Sequence, residues 1–211
     1  MKFFLFSAAI LLLSFSCKKE LMSPQNDTLV KQNEFAIIIH GGAGTILKKN
    51  LSDEKETAYK LKLEQAIRTG HAILKNGGTS QEAVVKTIQV MEESPLFNAG
   101  KGAVFTHEET NELDASFMDG KTLNAGAVAG VMNVKSPIEL AVKIMTDSEH
   151  VMLSGKGASI FAKEKGLEIV DPSYFYTENR FKSLQRIKNN VKTELDHNDT
   201  KAALYDEEIK N

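Results

Sequence analysis

The sequence contains one cysteine, no tryptophan and only four prolines in 211 residues. A single cysteine cannot form an internal disulfide, and no Cys/His cluster has the spacing of a zinc site. The 26 basic and 28 acidic residues give a net charge of −2, without the basic excess typical of nucleic-acid-binding proteins. These absences exclude a disulfide scaffold and a structural zinc site, and they predict no nucleic-acid partner.

The rest of the composition, 42% hydrophobic and 26% charged, is that of a globular protein with a sizeable core. Its strand and helix signals alternate around a central hairpin. They predict an α/β fold of mixed layers rather than a simple parallel sheet.

The first 16 residues have the pattern of an export signal. Lys2 precedes about 13 mostly apolar residues, Phe3–Phe15, a run shorter than the ~20 residues that span a bilayer. Cys17 follows the small Ser16 and resembles the lipidated cysteine of bacterial lipoproteins. The usual pattern has an aliphatic residue three positions before the cysteine, whereas here Leu13 lies four positions before it. We expect a lipoprotein of the bacterial cell envelope, periplasmic or surface, that meets the membrane only through its anchor. The alternative is plain secretion.

The chain divides into four segments by composition. We expect a signal peptide in residues 1–16, a flexible polar tether in 17–34, a folded part in 35–177 and a mobile linker in 178–211, with a helix at Arg180–Val191.

Hydrophobic periodicity and capping signals predict the elements of the folded part. The predicted strands are Phe35–Ile39, Leu113–Met118, Thr122–Val131 and His150–Leu153. The predicted helices run from Ser52 to Asn76, from Thr79 to Ser94 with Val84, Ile88 and Met91 on its apolar face, from Ser136, and from Gly157 to Lys165. Asp119-Gly120 predicts a tight turn between two strands, and Ser136…Glu139 predicts a capping box.

Three segments carry residues that could do chemistry. His40-Gly-Gly-Ala-Gly44 follows a predicted strand but has neither phosphate-loop nor dinucleotide-loop spacing, so a glycine-rich structural turn is the simpler interpretation. The loop Pro95–Gly102 places Asn98 among apolar and glycine neighbours, where it is either a site residue or part of a packed loop. Asp114 and Asp119 resemble an acid/base pair, but local backbone hydrogen bonds account for both.

In order along the chain, these motifs resemble the isoaspartyl peptidase/plant-type L-asparaginase family. The resembling segments are His40–Gly44, Pro95–Phe105, Glu112–Gly120, Ala125–Gly130 and His150–Met152. The resemblance implies an N-terminal-nucleophile hydrolase with a four-layer αββα sandwich fold. It also implies a precursor that cleaves itself into α and β parts. The nucleophile would be the threonine at the start of the β part, whose own amine is the base.

The resemblance also implies roles for residues of this chain. Asn98 would line the nucleophile's pocket, with His40, Gly41 and Gly42 near the scissile peptide. Catalysis would need no cofactor, but a structural sodium ion would be held by backbone carbonyls, which suit a hard cation. Those carbonyls belong to Met91, Glu92, Ser94, Phe97, Ala99 and Lys101.

The tail Asp206–Asn211 resembles the segment before the family's cleavage site, so we expect this chain to be the α half, inactive alone. Its partner would be the β part, in an (αβ)2 assembly, acting on asparagine or a β-aspartyl dipeptide. Two alternatives are a non-catalytic truncated lipoprotein and a glycosylasparaginase-like amidase.

Overall fold

The structure, a computed structural model, describes residues 35–42, Lys48 and 51–189. The predicted signal peptide, the tether with Cys17, and the chain from residue 190 lie outside the described residues. The helices are α1 (Asp53–Lys75), α2 (Ser80–Glu92), α3 (Pro137–Asp147), α4 (Gly155–Glu164) and α5 (Glu178–Asn189). The strands are β1 (Leu113–Met118), β2 (Ala125–Val131) and β3 (Met152–Ser154).

Helices α1 and α2 form a helical hairpin, and both helices begin at a residue whose side chain caps the helix N-terminus. The Ser52 hydroxyl accepts from the Lys55 N–H, and the Thr79 hydroxyl accepts from the Glu82 N–H. Gly77, at φ +82°, ends α1 as predicted. The predicted apolar face of α2 is wrong at Val84, which is exposed, because the helix turns Ala83 and Thr87 inward instead.

The three strands form one mixed sheet in the order β1-β2-β3. β1 pairs antiparallel with β2 through a bulge between Leu113 and Ala115, and β2 pairs parallel with β3. α3 and α4 pack on this sheet around a fully buried Phe175, Leu140 and Ile144. The α/β class is confirmed.

The predicted tight Asp-Gly turn between β1 and β2 is wrong. Residues 119–124 connect the strands, and Asp119 organises them by accepting from the Lys121 N–H and from the Thr122 N–H and hydroxyl. Leu123 takes the positive φ (+62°) expected of the glycine. The aspartate side chain, rather than glycine, therefore sets the geometry of this connection.

The predicted strand Phe35–Ile39 pairs with no other strand in the described part of the chain. Its side chains still alternate as in a strand. Phe35, Ile37 and Ile39 are half-buried, whereas Ile38 is 91% exposed. The inner face contacts the α1/α2 hairpin, since Ile37 packs closely over Gly70.

Helix α5 occupies the start of the segment predicted to be a mobile linker. Leu184 is buried, so this boundary lies too early, while the predicted helix at Arg180–Val191 agrees with α5. No helix within residues 35–42, Lys48 and 51–189 is both long and apolar enough to span a bilayer.

The predicted capping box at the start of α3 is wrong, because the capping group comes from another helix. Glu92, the last residue of α2, accepts from the Ser136 hydroxyl at 2.7 Å and from the Ile138 N–H at 2.9 Å. Glu139, the other half of the predicted box, accepts from Gln89 instead. Burial raises the pKa of Glu92 to about 7, although its two hydrogen bonds oppose the shift.

We predict that Glu92→Ala destabilises the fold by about 1–3 kcal/mol, because it leaves the buried Ile138 N–H and the half-buried Ser136 hydroxyl without their acceptor. Glu92→Gln keeps an acceptor for the Ile138 N–H and should preserve the fold. Because the pKa of Glu92 is higher in the folded than in the unfolded state, its protonation favours the folded state at pH values below the unfolded-state pKa. This stabilisation is lost as the pH rises towards about 7, the pKa in the folded state. The melting temperature of Glu92→Gln relative to wild type should therefore increase between pH 5 and pH 8.

The matched control is Glu93→Gln, because Glu93 is the exposed neighbour of Glu92. Thermal melts of the three variants and the wild type across this pH range provide the comparison. An equal pH response of the two glutamine variants would contradict the role given to burial.

Candidate active site

The segment from Met91 to Val104 leaves α2 and folds into a tight loop before β1. Ser94 and Phe97 are buried, while Asn98 is exposed at the surface of the loop. The Asn98 Oδ1 atom accepts from the Val104 N–H at 3.0 Å. Because that contact occupies the carbonyl end of the amide, the Nδ2 end is the donor that Asn98 can offer to a ligand.

Two glycines allow this loop to close. Gly100 has φ +49°, and a Cβ built on it would lie 2.3 Å from the Glu92 carbonyl oxygen. A Cβ on Gly102 would lie 2.1 Å from the Phe97 carbonyl oxygen. Both positions therefore require glycine, and the turn Gly100–Gly102 lies directly against these carbonyls.

Three elements outside the loop hold its carbonyls. The Tyr59 hydroxyl on α1 donates to the Leu96 carbonyl at 2.7 Å, and the Asn111 amide donates to the Ala103 and Val104 carbonyls at 3.1 Å. The Arg180 Nε on α5 donates to the Gly102 carbonyl at 2.7 Å. Sequence reasoning missed these three residues, since nothing near them in the chain indicates their partners.

The segment His40-Gly41-Gly42 lies at the same site. The His40 Nδ1 accepts from the Gly42 N–H at 3.2 Å, and Gly42 has φ +111°. Gly41 packs so closely on Leu63 of α1 that a Cβ there would lie 3.2 Å from the leucine methyl. The glycines thus serve a structural turn, as predicted, and also bring the backbone against α1.

One open cleft of about 650 Å³ joins these segments. It brings together the predicted residues His40, Gly41, Gly42 and Asn98, which lie far apart in sequence. Its remaining lining is mostly apolar, and includes Arg180 from α5. Among the described residues that line the cleft there is no serine, threonine or cysteine.

The six carbonyls predicted as cation ligands belong to this loop. Those of Glu92 and Phe97 face the Gly100–Gly102 turn. Those of Met91 and Ala99 accept from the Ser94 and Gly102 N–H groups, at 3.1 and 3.0 Å. A carbonyl oxygen has two lone pairs, so these contacts leave room for a cation. The donor set, all oxygen, is compatible with a hard cation such as sodium.

The two aspartates considered as an acid/base pair have structural contacts. Asp114 Oδ1 accepts from the Gly130 N–H at 2.8 Å across the sheet, and Asp119 organises its own turn. Hydrogen bonds, above all from Thr122, hold the pKa of Asp119 below its ordinary value. Neither residue lines the cleft.

The family model described as Asparaginase matches residues 33–211 of the chain. The chain belongs to the asparaginase family. It is 45% identical over 161 residues to an isoaspartyl peptidase of Escherichia coli K12, covering 76% of this chain and 50% of that protein. It is 44% identical over 163 residues to a plant-type L-asparaginase of Pyrococcus abyssi, covering 77% and 51%.

These matches confirm the resemblance drawn from the motifs. An isoaspartyl peptidase of Salmonella typhimurium is 41% identical over 165 residues, 78% of this chain and 53% of that protein. The chain spans about half the length of the curated relatives it matches. The described residues agree with the α/β class, and the four-layer sandwich remains a prediction.

We predict that Gly100→Ala disrupts the loop, since a methyl group there would collide with the Glu92 backbone at a positive φ. The melting temperature should fall clearly, by the equivalent of about 2–3 kcal/mol. Gly120→Ala is the matched control, because nothing lies within 4 Å of its Cβ position. Equal melting temperatures for the two variants would show that the loop does not depend on Gly100.

Proposed function

We propose that this chain is the α part of an isoaspartyl peptidase/L-asparaginase. The whole protein hydrolyses the side-chain amide of asparagine or the β-aspartyl bond of a dipeptide. The observation that carries the proposal is the cleft, which unites Asn98 with His40-Gly41-Gly42 in a chain that belongs to the asparaginase family. The two substrate classes are proposed because one relative is an isoaspartyl peptidase and another is an L-asparaginase.

In the proposed mechanism, the nucleophile is a threonine at the start of a β part, beyond this chain. Its hydroxyl attacks the amide carbonyl, and its own amine takes up the hydroxyl proton. The protonated amine gives this proton to the leaving nitrogen, so that ammonia or an amino acid departs and an ester remains. Water, losing a proton to the same amine, then attacks the ester, and the proton returns to the threonine hydroxyl as aspartate is released. The mature enzyme is an assembly of the (αβ)2 type.

Within this mechanism, Asn98 orients the nucleophile. Its Oδ1 is held by the Val104 N–H, so its Nδ2 donates towards the threonine hydroxyl or a nearby water. A hydroxyl that accepts this hydrogen bond keeps a lone pair directed at the substrate carbonyl. The contribution is one of orientation and near-attack geometry.

The loop from Met91 to Lys101 is the proposed sodium site. The bound ion would contribute structure rather than chemistry, by joining carbonyls that otherwise repel one another. The close packing of Gly100 against Glu92 supports this assignment, because it brings the Glu92 carbonyl against the same turn as the Phe97 carbonyl.

We also propose that the protein is exported and anchored through Cys17. The apolar segment Phe3–Phe15 and the small residue before the cysteine support this proposal.

We predict that the complete α and β protein hydrolyses β-aspartyl dipeptides or asparagine, and that residues 17–211 alone do not. Asn98→Ala in the complete protein should lower kcat by about 100-fold, because a misplaced nucleophile loses near-attack geometry. Asn98→Asp keeps the acceptor for Val104 but loses the donor, so it should lose similar activity while its melting temperature stays close to that of wild type.

Asp119→Ala is the control for these variants. It removes three hydrogen bonds from an exposed turn, and should lower stability while leaving kcat nearly unchanged. Full activity in Asn98→Ala, or lost activity in a folded Asp119→Ala, would refute these residue roles. A complete protein without hydrolysis of either substrate would favour the non-catalytic alternative.

For Cys17→Ser, we predict a shift from the membrane fraction to the soluble fraction, because a thioether anchor requires the sulfur atom. Ser23→Thr in the tether, which leaves both the cysteine and the small residue before it in place, is the control. Fractionation of cells followed by immunoblotting gives the measurement. An unchanged distribution of Cys17→Ser would contradict the lipid anchor.

A further inference from the structure

Arg180 is the one cleft-lining residue that comes from α5. It is half-buried, and its Nε donates to the Gly102 carbonyl at 2.7 Å across 78 positions of sequence. A hydrogen bond from a charged donor is about twice as strong as one between neutral groups. This contact therefore ties the last described helix to the turn of the Asn98 loop.

Two further contacts fix α5 over the same stretch of chain. Phe181 packs edge-on against Phe105, with ring centroids 5.5 Å apart. Lys188 pairs with Glu109 at 2.9 Å, where Glu109 has a strained φ of +66°. Arg180 thus reaches the loop from a helix that two contacts hold in place on the C-terminal side of residue 180.

A short path of contacts leads from Arg180 to Asn98. The Gly102–Ala103 peptide is held at its carbonyl by Arg180, and its N–H, that of Ala103, donates to the Gly100 carbonyl at 3.0 Å. Two residues after Gly102, the Val104 N–H holds the Asn98 side chain. The next peptide, Ala103–Val104, holds the Asn98 amide through its N–H and is itself held at its carbonyl by Asn111, so the Gly102–Ala103 peptide acts on Asn98 together with Asn111.

We propose that Arg180 is a positioning residue for the reaction, acting through Gly102 and Val104 on the orientation of Asn98. This inference rests on the proposed role of Asn98. It makes α5 part of the active-site framework. Loss of the Arg180 contact lets the Gly102 peptide rotate, and Asn98 then spends less time with its donor directed into the cleft.

The side chain required is specifically arginine. Its Nε lies within a rigid planar fork, so the donor direction is set once α5 is in place. A lysine at the same position keeps the charge but offers a rotating ammonium one bond further along, without the fixed Nε. Arg180→Lys therefore separates the geometric contribution from the charge, and Arg180→Met removes both while keeping apolar bulk.

The experiment uses the complete α and β protein with a β-aspartyl dipeptide as substrate. The variants are Arg180→Met, Arg180→Lys, Asn98→Ala and the double variant Asn98→Ala/Arg180→Met. Arg186→Met is the matched control, since Arg186 is an exposed arginine on the same helix. Melting temperature, kcat and KM are measured for each.

We expect Arg180→Met to lower kcat about tenfold or more with KM within twofold of wild type, because it disturbs orientation rather than binding. Arg180→Lys should recover only part of that loss. The kcat of the double variant should lie within about twofold of the kcat of Asn98→Ala, because the losses caused by two residues that act on the same path are not additive. Arg186→Met should match wild type.

Three outcomes would overturn the proposal. These are an unchanged kcat in Arg180→Met, a loss confined to KM, or a double variant whose loss equals the product of the two single losses. If Arg180→Met fails to fold, the same comparisons with Arg180→Lys decide. Failure of wild type and Arg186→Met alike to hydrolyse the substrate would refute the proposed function itself, and the role of Arg180 with it.

Discussion

The buried carboxyl group of Glu92 joins three parts of the structure. It ends α2, caps the N-terminus of α3 by accepting from Ser136 and Ile138, and begins the loop that carries Asn98. Its backbone also lies against Gly100. Because a buried carboxyl group without hydrogen bonds is costly, α2 and α3 can adopt only an arrangement that supplies these donors. The start of the active-site loop is thereby fixed relative to the sheet on which α3 packs.

The rest of the loop takes its shape from polar contacts to its backbone rather than from a large core. Tyr59 and Asn111 fix the carbonyls on either side of the glycine turn, and Asn98 closes the loop on itself. A loop held by several elements can keep one exposed side chain in a constant direction. Such rigidity is what an orienting residue requires, since small displacements of reacting groups are expensive in rate.

Local signals in the sequence predicted local structure well. Ser52 and Thr79 cap their helices, and β1 has the predicted bounds, because the necessary contacts are a few residues apart. The errors arise where a distant partner competes. Ser136 donates to Glu92 rather than capping its own helix, because the buried carboxyl group of Glu92 already caps the buried start of α3 by accepting from the Ile138 N–H. The site residues came from the family resemblance, whereas the long-range contact of Arg180 left no trace in the sequence.

The segment from Phe35 to His40 shows a different kind of disagreement. Its alternating pattern and β-branched residues are those of a paired strand, yet Ile38 is 91% exposed and no strand pairs with it among the described residues. His40, at its end, lines the cleft. The alternating burial therefore comes from packing on α1 and α2, since Phe35 contacts His71 and Ile37 lies over Gly70, whereas Ile38 faces away from both helices.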